Sequence, residues 1–339
     1  MTAAEWLSAL TAITGGSSRE APVQEFLRER LAPCVARGER DGAGNLLLWR
    51  DEAGNRPVLL LCAHCDQVAM YVERALPGGF LRLRAPGIDR RCLPGQPVTV
   101  AGRPGVIGMV PPHMRRKGEE LPTGEEDLWV DLGPLAVDDL PPIGTEVYFR
   151  TPGRPLGLDR FTGPGLDDRA SVAAIALALE ELRGERLPVQ VVAAFTAGEE
   201  SGRLGAAFLG ERIAADLALV LDVTFADQPE CLDDRLACLG GGPALGVGPN
   251  VTSFVLRHLE AVCQDAGIES QREPLPGHSG TDGWALQLGG LGIATGLVSI
   301  PLTSMHSPAE VVSVEDVRRT AALLAACARR GVPQPAEGE

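Results

Sequence analysis

Apolar residues recur along this chain in two rhythms. AAEWLSALTAI (3–13) and, after a Gly/Ser break, APVQEFLRERL (21–31) carry them at three- and four-residue intervals, which predicts two amphipathic helices. LLLWR (46–50) and VLLLCA (58–63) are unbroken apolar runs of strand length around an AGN turn. Strands without an alternating polar face predict a sheet covered on both sides. Beyond Asp168 the two patterns alternate: helix ASVAAIALALEELRG, strand PVQVVAAF, helix RLGAAFLGERIA, strand DLALVLDV, helix TSFVLRHLEAVCQDAG, strand GIATGLVSI, and a last helix opening at Ser313. Ser313-Val314-Glu315-Asp316 has capping-box spacing with Asp in the Glu/Gln place. This order predicts an α/β fold built on a helix-covered, mixed, largely parallel sheet.

Between residues 68 and 160 the texture changes. Gly and Pro become dense, and short β-like runs follow one another: GFLRLRA, QPVTVAG, GVIGMV, DLWVDLG and TEVYFR. The charged stretch HMRRKGEELPTGEED between them reads as a mobile loop. The expected organisation is one larger domain made of residues 1–67 and 161–332, a small β-rich domain inserted at 68–160, and a disordered tail at 333–339.

Composition narrows the function. Of 339 residues, 45% are hydrophobic and 22% charged, values typical of a water-soluble globular protein. No apolar run approaches the roughly 20 residues of a membrane span, and the N-terminus lacks a basic segment followed by an apolar one. A cytoplasmic protein is expected. A net charge of −14 argues against nucleic acid and anionic membranes as partners. Lys117 is the single lysine, so there is no GK[ST] phosphate loop, and a Schiff base could form nowhere else. The eight cysteines are expected to be small buried thiols. Cys65 stands between two candidate site residues, but strand alternation points it to the opposite face.

The chemistry gathers at strand ends, where open α/β sheets bind their ligands. VLLLCA ends in His64-Cys65-Asp66, and GPGLDDR sets Asp167 and Asp168 ahead of a helix. VVAAF runs into Glu199-Glu200, LALVLD ends in Asp222, and GLVSIP leads to His306. Each has an ordinary reading by itself: a hydrogen-bonded strand-end histidine, a helix N-cap, a turn aspartate, a solvated glutamate, a loop histidine. Together they would place several carboxylates on one edge, where they repel one another unless a cation lies among them. Two histidines and three carboxylates can serve two ions sharing one carboxylate, and the ligand types suit Zn²⁺, Co²⁺ or Mn²⁺. A glutamate beside a liganding glutamate is then placed to act as general base. Asp66, two residues from His64 on the same strand face, can accept the imidazole N–H.

LCAHCDQVAMYV, GPGLDDRAS, TAGEESGRLGA, VLDVTFAD and GTDGWAL…SIPLTSMHSPAEVVSVEDV occur in the order found in the glutamyl/deblocking aminopeptidases, dinuclear metallopeptidases of TET type with a zinc-exopeptidase-like catalytic domain. The chain resembles that family over nearly its whole length. RRCLPGQPVTV, GVIGMVPPH and DLWVDLG within the insertion resemble its dimerisation domain. The resemblance implies His64 and Asp222 on one metal, Glu200 and His306 on the other, Asp167 as the bridge and Glu199 as the base. It also implies a cis peptide after Asp167, small peptides as substrates, and a homo-oligomer, either a dimer or a tetrahedral dodecamer. The sequence departs from the family at Gln67, Ala69 and Gly198, and at His278-Ser279 before Gly280-Thr281-Asp282. None of these replaces an implied ligand or the base. A deacylase or amidase acting on N-acyl amino acids would need the same parts. An endoglucanase would leave the two histidines without a purpose, and a non-catalytic scaffold would leave the whole set without one.

Overall fold

The computed structural model describes residues 1–52, 54–114, 128–136, 139–231, 236–290 and 292–333. The chain opens with helices α1 (Ala3–Thr11) and α2 (Ala21–Leu31), then strands β1 (Arg37–Arg40), β2 (Leu46–Trp49) and β3 (Val58–His64). Six strands follow: β4 (Met70–Leu76), β5 (Phe80–Arg84), β6 (Pro97–Val100), β7 (Arg103–Met109), β8 (Leu128–Asp131) and β9 (Glu146–Phe149). Then come β10 (Arg154–Leu156), β11 (Arg160–Gly163), α3 (Leu166–Glu181), β12 (Gln190–Thr196), α4 (Leu204–Arg212) and β13 (Leu217–Phe225). The chain continues through β14 (Ala244–Val247), α5 (Ser253–Ala266), β15 (Gln271–Pro274), α6 (Asp282–Gln287), β16 (Thr295–Thr303), β17 (Glu310–Ser313) and α7 (Val314–Arg330).

One mixed sheet runs β1-β2-β12-β3-β13-β16-β17-β11-β10, with β14 also on β16 and β15 on β14. Its centre, β12-β3-β13-β16, is parallel, and the flanking pairs along that path are antiparallel. The α/β class and helix-covered sheet read from the sequence are observed. The AGN turn does not make a hairpin, however. β12 lies between β2 and β3, with Val192 opposite both Trp49 and Leu60. Strands that are apolar on both faces carry no alternation to select a partner, so neighbours are chosen by the packing of the whole sheet.

The unbroken apolar runs are explained by cover on each side. Leu59, Leu61 and Ala63 pack in one core with Trp6, Leu7 and Leu10 of α1, Val255 and Leu259 of α5, and Leu323 and Leu324 of α7. α3, apolar nearly all round, is buried within that layer. Leu60 and Cys62 face the other way, against Leu209 of α4 and Leu286 of α6. Cys65 packs in the first core, on the face opposite to the candidate site. The full capping box is at Thr2 and Glu5 of α1. At α7 only half of one forms: Ser313 accepts from the Asp316 N–H, while the Asp316 carboxylate accepts from Gly240 and Gly242. Aspartate is one methylene shorter than glutamate, and the loop amides capture it.

β4-β5-β8-β7-β6-β9 close into a barrel with its own core of Met70, Val72, Leu81, Leu83, Val98, Val100, Ile107, Leu128, Val130 and Val147. Closure leaves no unpaired strand edge. The barrel touches the larger domain at the loop after α1. There the Tyr148 hydroxyl accepts the Gly16 N–H at 2.9 Å and Arg19 pairs with Glu146 at 2.9 Å. Most of the HMRRKGEELPTGEED stretch, including Lys117, and tail residues 334–339 lie outside the described residues. Five cysteines are buried, Cys92 is half-buried, and Cys231 and Cys238 are exposed, so burial does not extend to all eight. Among the described residues no helix is long and apolar enough to cross a membrane.

Candidate metal centre

The parallel strands deliver the candidate residues to one edge. His64 is the last residue of β3, level with Thr196 of β12. Asp222 lies two residues beyond Val220, which pairs with Cys62, so it shares the His64 face. Glu199 and Glu200 follow the end of β12, and His306 lies in the turn between β16 and β17. Asp167 and Asp168 interrupt the first turn of α3 with non-helical backbone angles, and the peptide bond joining them is cis. Thus five separate segments meet.

Asp167 stands between the two histidines. Its Oδ1 is 3.1 Å from His64 Nε2, and its Oδ2 is 3.2 Å from His306 Nε2. His64 Nε2 is also 3.9 Å from Asp222 Oδ1, and His306 Nε2 is 3.3 Å from Glu200 Oε1. Two groups result, His64-Asp167-Asp222 and Asp167-Glu200-His306, and in each the donor atoms lie within 4.8 Å of one another. Among the described residues, Glu200 Oε1 is buried without a hydrogen-bond partner, as are both carboxylate oxygens of Asp168. Nitrogen and oxygen donors in two sets of three, sharing one carboxylate, fit a pair of divalent ions.

The electrostatics carry the same demand for positive charge. Burial pulls both imidazoles down, but carboxylates outweigh it: Asp167 and Asp66 hold His64 well above its ordinary value, and Asp167 and Glu200 raise His306 to about 11. Burial raises Asp167, yet hydrogen bonds from His306 and His64 bring it below the usual carboxylate range. Burial, reinforced by Asp168 and Asp167, pushes Asp222 well up. Glu199 is raised to about 7, chiefly by burial, with Asp282 and Glu200 adding and His64 and Arg203 opposing.

A supporting set surrounds these groups. Asp66 Oδ1 accepts the Glu199 N–H at 3.0 Å, and Oδ2 accepts the Glu200 N–H at 3.2 Å and the Ser17 hydroxyl at 2.6 Å. His64 Nδ1 is 3.1 Å from the Asp66 main-chain oxygen and 3.5 Å from its carboxylate, so the imidazole shares that carboxylate with two amides. Glu310 accepts the Asp167 and His306 amides at 3.2 and 2.9 Å, and burial lifts it to about 8. Asp282, raised to about 6 by burial, accepts the Thr196 hydroxyl. Glu20 accepts the Gly198 amide at 3.0 Å. Sequence reasoning missed Glu310, Glu20 and Ser17. The one signal for Glu310 was a carboxylate heading a strand-like EVVS run.

The departures noted above find places here. Gly198 has φ +69°, a left-handed backbone that a glutamine would strain. Gln67 packs beneath Gly165, where a Cβ would come within 3.1 Å of its amide. Ala69 lies against Gly16, at the contact between barrel and site loop. His278 is exposed, stacked on Trp284 with ring centroids 5.4 Å apart, and does not line the cavity. That cavity, about 560 Å³, opens from the metal-centre residues and continues past Arg203, Thr224, Phe225, Glu273, Leu275 and Leu297.

Residues 44–323 match the M42 glutamyl aminopeptidase family. The lysyl aminopeptidase of Pyrococcus furiosus is 32% identical over 280 residues, covering 79% of this chain and 80% of that one. The structure of an aminopeptidase from the archaeon Desulfurococcus kamchatkensis superposes with a TM-score of 0.87 at 29% identity, covering 97% of this chain and 95% of that one. The Pyrococcus horikoshii TET1 peptidase, which can assemble into a tetrahedron or a large octahedral shell, superposes with a TM-score of 0.85 at 27% identity, covering 96% and 99%.

Proposed function

The chain belongs to the M42 glutamyl aminopeptidase family and is a metal-dependent aminopeptidase, and we propose that it removes N-terminal residues from small peptides with His64, Asp167, Glu200, Asp222 and His306 as metal ligands and Glu199 as general base. The observation that carries this reading is the position of Asp167, whose two oxygens each face a different histidine. Asp167 would be shared by the two ions, with His64 and Asp222 completing one ligand set and Glu200 and His306 the other. When bound, two divalent ions, zinc, cobalt or manganese, polarise the scissile carbonyl and lower the pKa of a water molecule.

The residues of the chain do the rest. Glu199 accepts the proton of the attacking water and returns it to the departing amine nitrogen. Its amide is pinned by Asp66, and its carboxylate meets Arg203 Nε at 2.8 Å. The guanidinium is itself anchored on the Gly280 carbonyl. Glu310 holds the backbones of Asp167 and His306, so both imidazole-facing oxygens of the bridge keep their aim. The free α-amine of the peptide is held near the carboxylates that line the cavity at the metal centre. The family likeness supports a homo-oligomer, with the barrel inside the 68–160 segment as its dimer contact and a dodecamer as the larger assembly. A cytoplasmic setting accords with the unpaired cysteines.

The test is elemental analysis of protein purified without added metal, followed by amino-acyl p-nitroanilide hydrolysis as metal is restored. About two ions per chain, with turnover that needs both metal and a free amine, is the expected result. Two ions with turnover only of N-acylated substrates would replace the aminopeptidase by an amidase.

A further inference from the structure

Two residues past Asp222 along β13, on the same face, stands Thr224. Ser299 of β16 is paired with Asp222 and points to that face too. The Thr224 hydroxyl donates to Glu273 Oε1 and the Ser299 hydroxyl to Glu273 Oε2, each at 2.6 Å. Glu273 belongs to β15, two strands away from β16. Its partner on the intervening β14 is Gly246, where even a Cβ would come within 3.0 Å of Leu297. The absence of a side chain there opens the path along which the Glu273 carboxylate crosses to Ser299 and Thr224.

Three strands therefore hold one carboxylate in the wall of the cavity that begins at the metal centre. Among the described residues no arginine or histidine side chain pairs with it; the neighbouring Arg272 is bound to Glu260. Burial raises its pKa, and the two hydroxyls oppose that by donating to the charged form. Each carboxylate oxygen keeps acceptor capacity beyond the one hydroxyl bond it makes. The same cavity is lined by the apolar side chains of Leu275 and Leu297. Thr224 and Asp222 are about 6–7 Å apart along the strand, a span that an unbranched four-carbon stem can cover.

We propose that Glu273 is the specificity-determining residue for the substrate's N-terminal side chain, and that the enzyme prefers peptides beginning with lysine or arginine. The aliphatic stem lies along Leu275 and Leu297, and the cationic head meets the oriented carboxylate. This inference rests on the aminopeptidase reading of the same site. It gives Glu273 no part in the bond-breaking step.

The experiment compares kcat/KM for lysyl, arginyl, leucyl and glutamyl p-nitroanilides in the metal-loaded wild type and in Glu273→Gln, which keeps an oxygen for a hydroxyl. The expected result is a wild-type preference for lysyl and arginyl substrates, and a lysyl-to-leucyl ratio that falls about 30-fold or more in the variant. A wild-type preference for leucyl or glutamyl substrates would overturn the proposal. So would an equal loss on all substrates in the variant, which is the mark of a merely structural carboxylate. A second readout needs neither turnover nor a folded Glu273 variant: calorimetric binding of L-lysine against L-norleucine to Glu199→Gln. Tighter binding of lysine supports the assignment, and equal or weaker binding overturns it. If the wild type turned over no amino-acyl substrate, the aminopeptidase reading would fall, while the binding comparison would still decide the role of Glu273.

Discussion

The Asp66 carboxylate accepts the backbone N–H of Glu199 at 3.0 Å, joining the strand that carries His64 to the loop that carries the paired glutamates. The same side chain accepts the Glu200 amide and the Ser17 hydroxyl. It thus positions the proposed base and a proposed ligand together. Replacing Asp66 by alanine leaves those buried donors unanswered and lets the loop shift. The expected outcome is a 10- to 100-fold weaker metal affinity with a matching fall in kcat, measured by metal titration alongside steady-state kinetics. Unchanged affinity and kcat would remove Asp66 from the positioning machinery.

Glu199→Gln keeps the shape of the side chain and its contact with Arg203 while removing the ability to take a proton. kcat should fall by about 10²–10⁴, with the metal content of the purified protein unaltered. Full activity in this variant would end the assignment of Glu199 as base.

Metal uptake should release protons. In the metal-free chain, neighbouring carboxylates outweigh burial and hold His64 well above its ordinary value and His306 at about 11. Both imidazoles are therefore protonated at neutral pH, whereas a metal ion binds only the neutral ring. The sign follows: below those pKa values each ion must displace protons, so apparent affinity rises as pH rises. Calorimetric titration in buffers of different ionisation enthalpy reads the proton count directly. Metal binding that is indifferent to buffer and to pH would contradict the ligand set.

Gly205 opens a structural prediction away from the ligands. A Cβ at this position would stand 2.2 Å from Asn45 Oδ1 and 2.4 Å from the Ala197 carbonyl oxygen, directly behind the paired-glutamate loop. Asn45 is tied there, donating to the Gly205 carbonyl and accepting from the Ala197 amide. Gly205→Ala should cost about 1–3 kcal/mol through overpacking, seen as a lower Tm, and should weaken metal binding through the displaced loop. An unchanged Tm would show that the contact relaxes freely.

Much of this molecule could be read before folding was considered. Helices and strands announced themselves by three- to four-residue spacing and by unbroken apolar runs. The strand-end rule then brought His64, Asp66, Asp167, Asp168, Glu199, Glu200, Asp222 and His306 together, because a chain that alternates helix and strand has its parallel strand ends on one edge, and the family resemblance singled out five of them as implied ligands. Repulsion among carboxylates required no coordinates either. What escaped was each feature fixed by contacts between segments distant in sequence. β12 enters between β2 and β3, and Asp316 turns away from its own helix to the amides of Gly240 and Gly242. Glu310 reaches back to Asp167, 143 positions away.

The sequence by itself determined the kinds of groups present, their periodicity and the class of sheet that could bury them, since these depend on side-chain chemistry and on backbone geometry repeated every few residues. Only the tertiary structure decided which carboxylate stands between the two histidines, which ones accept amides, and that Glu273 stands oriented in the cavity wall with no cationic partner among the described residues. Carboxylates are chemically near-identical along a chain. Their roles come from what lies within about 3 Å of them, and that is set by how strands far apart in sequence come to lie side by side.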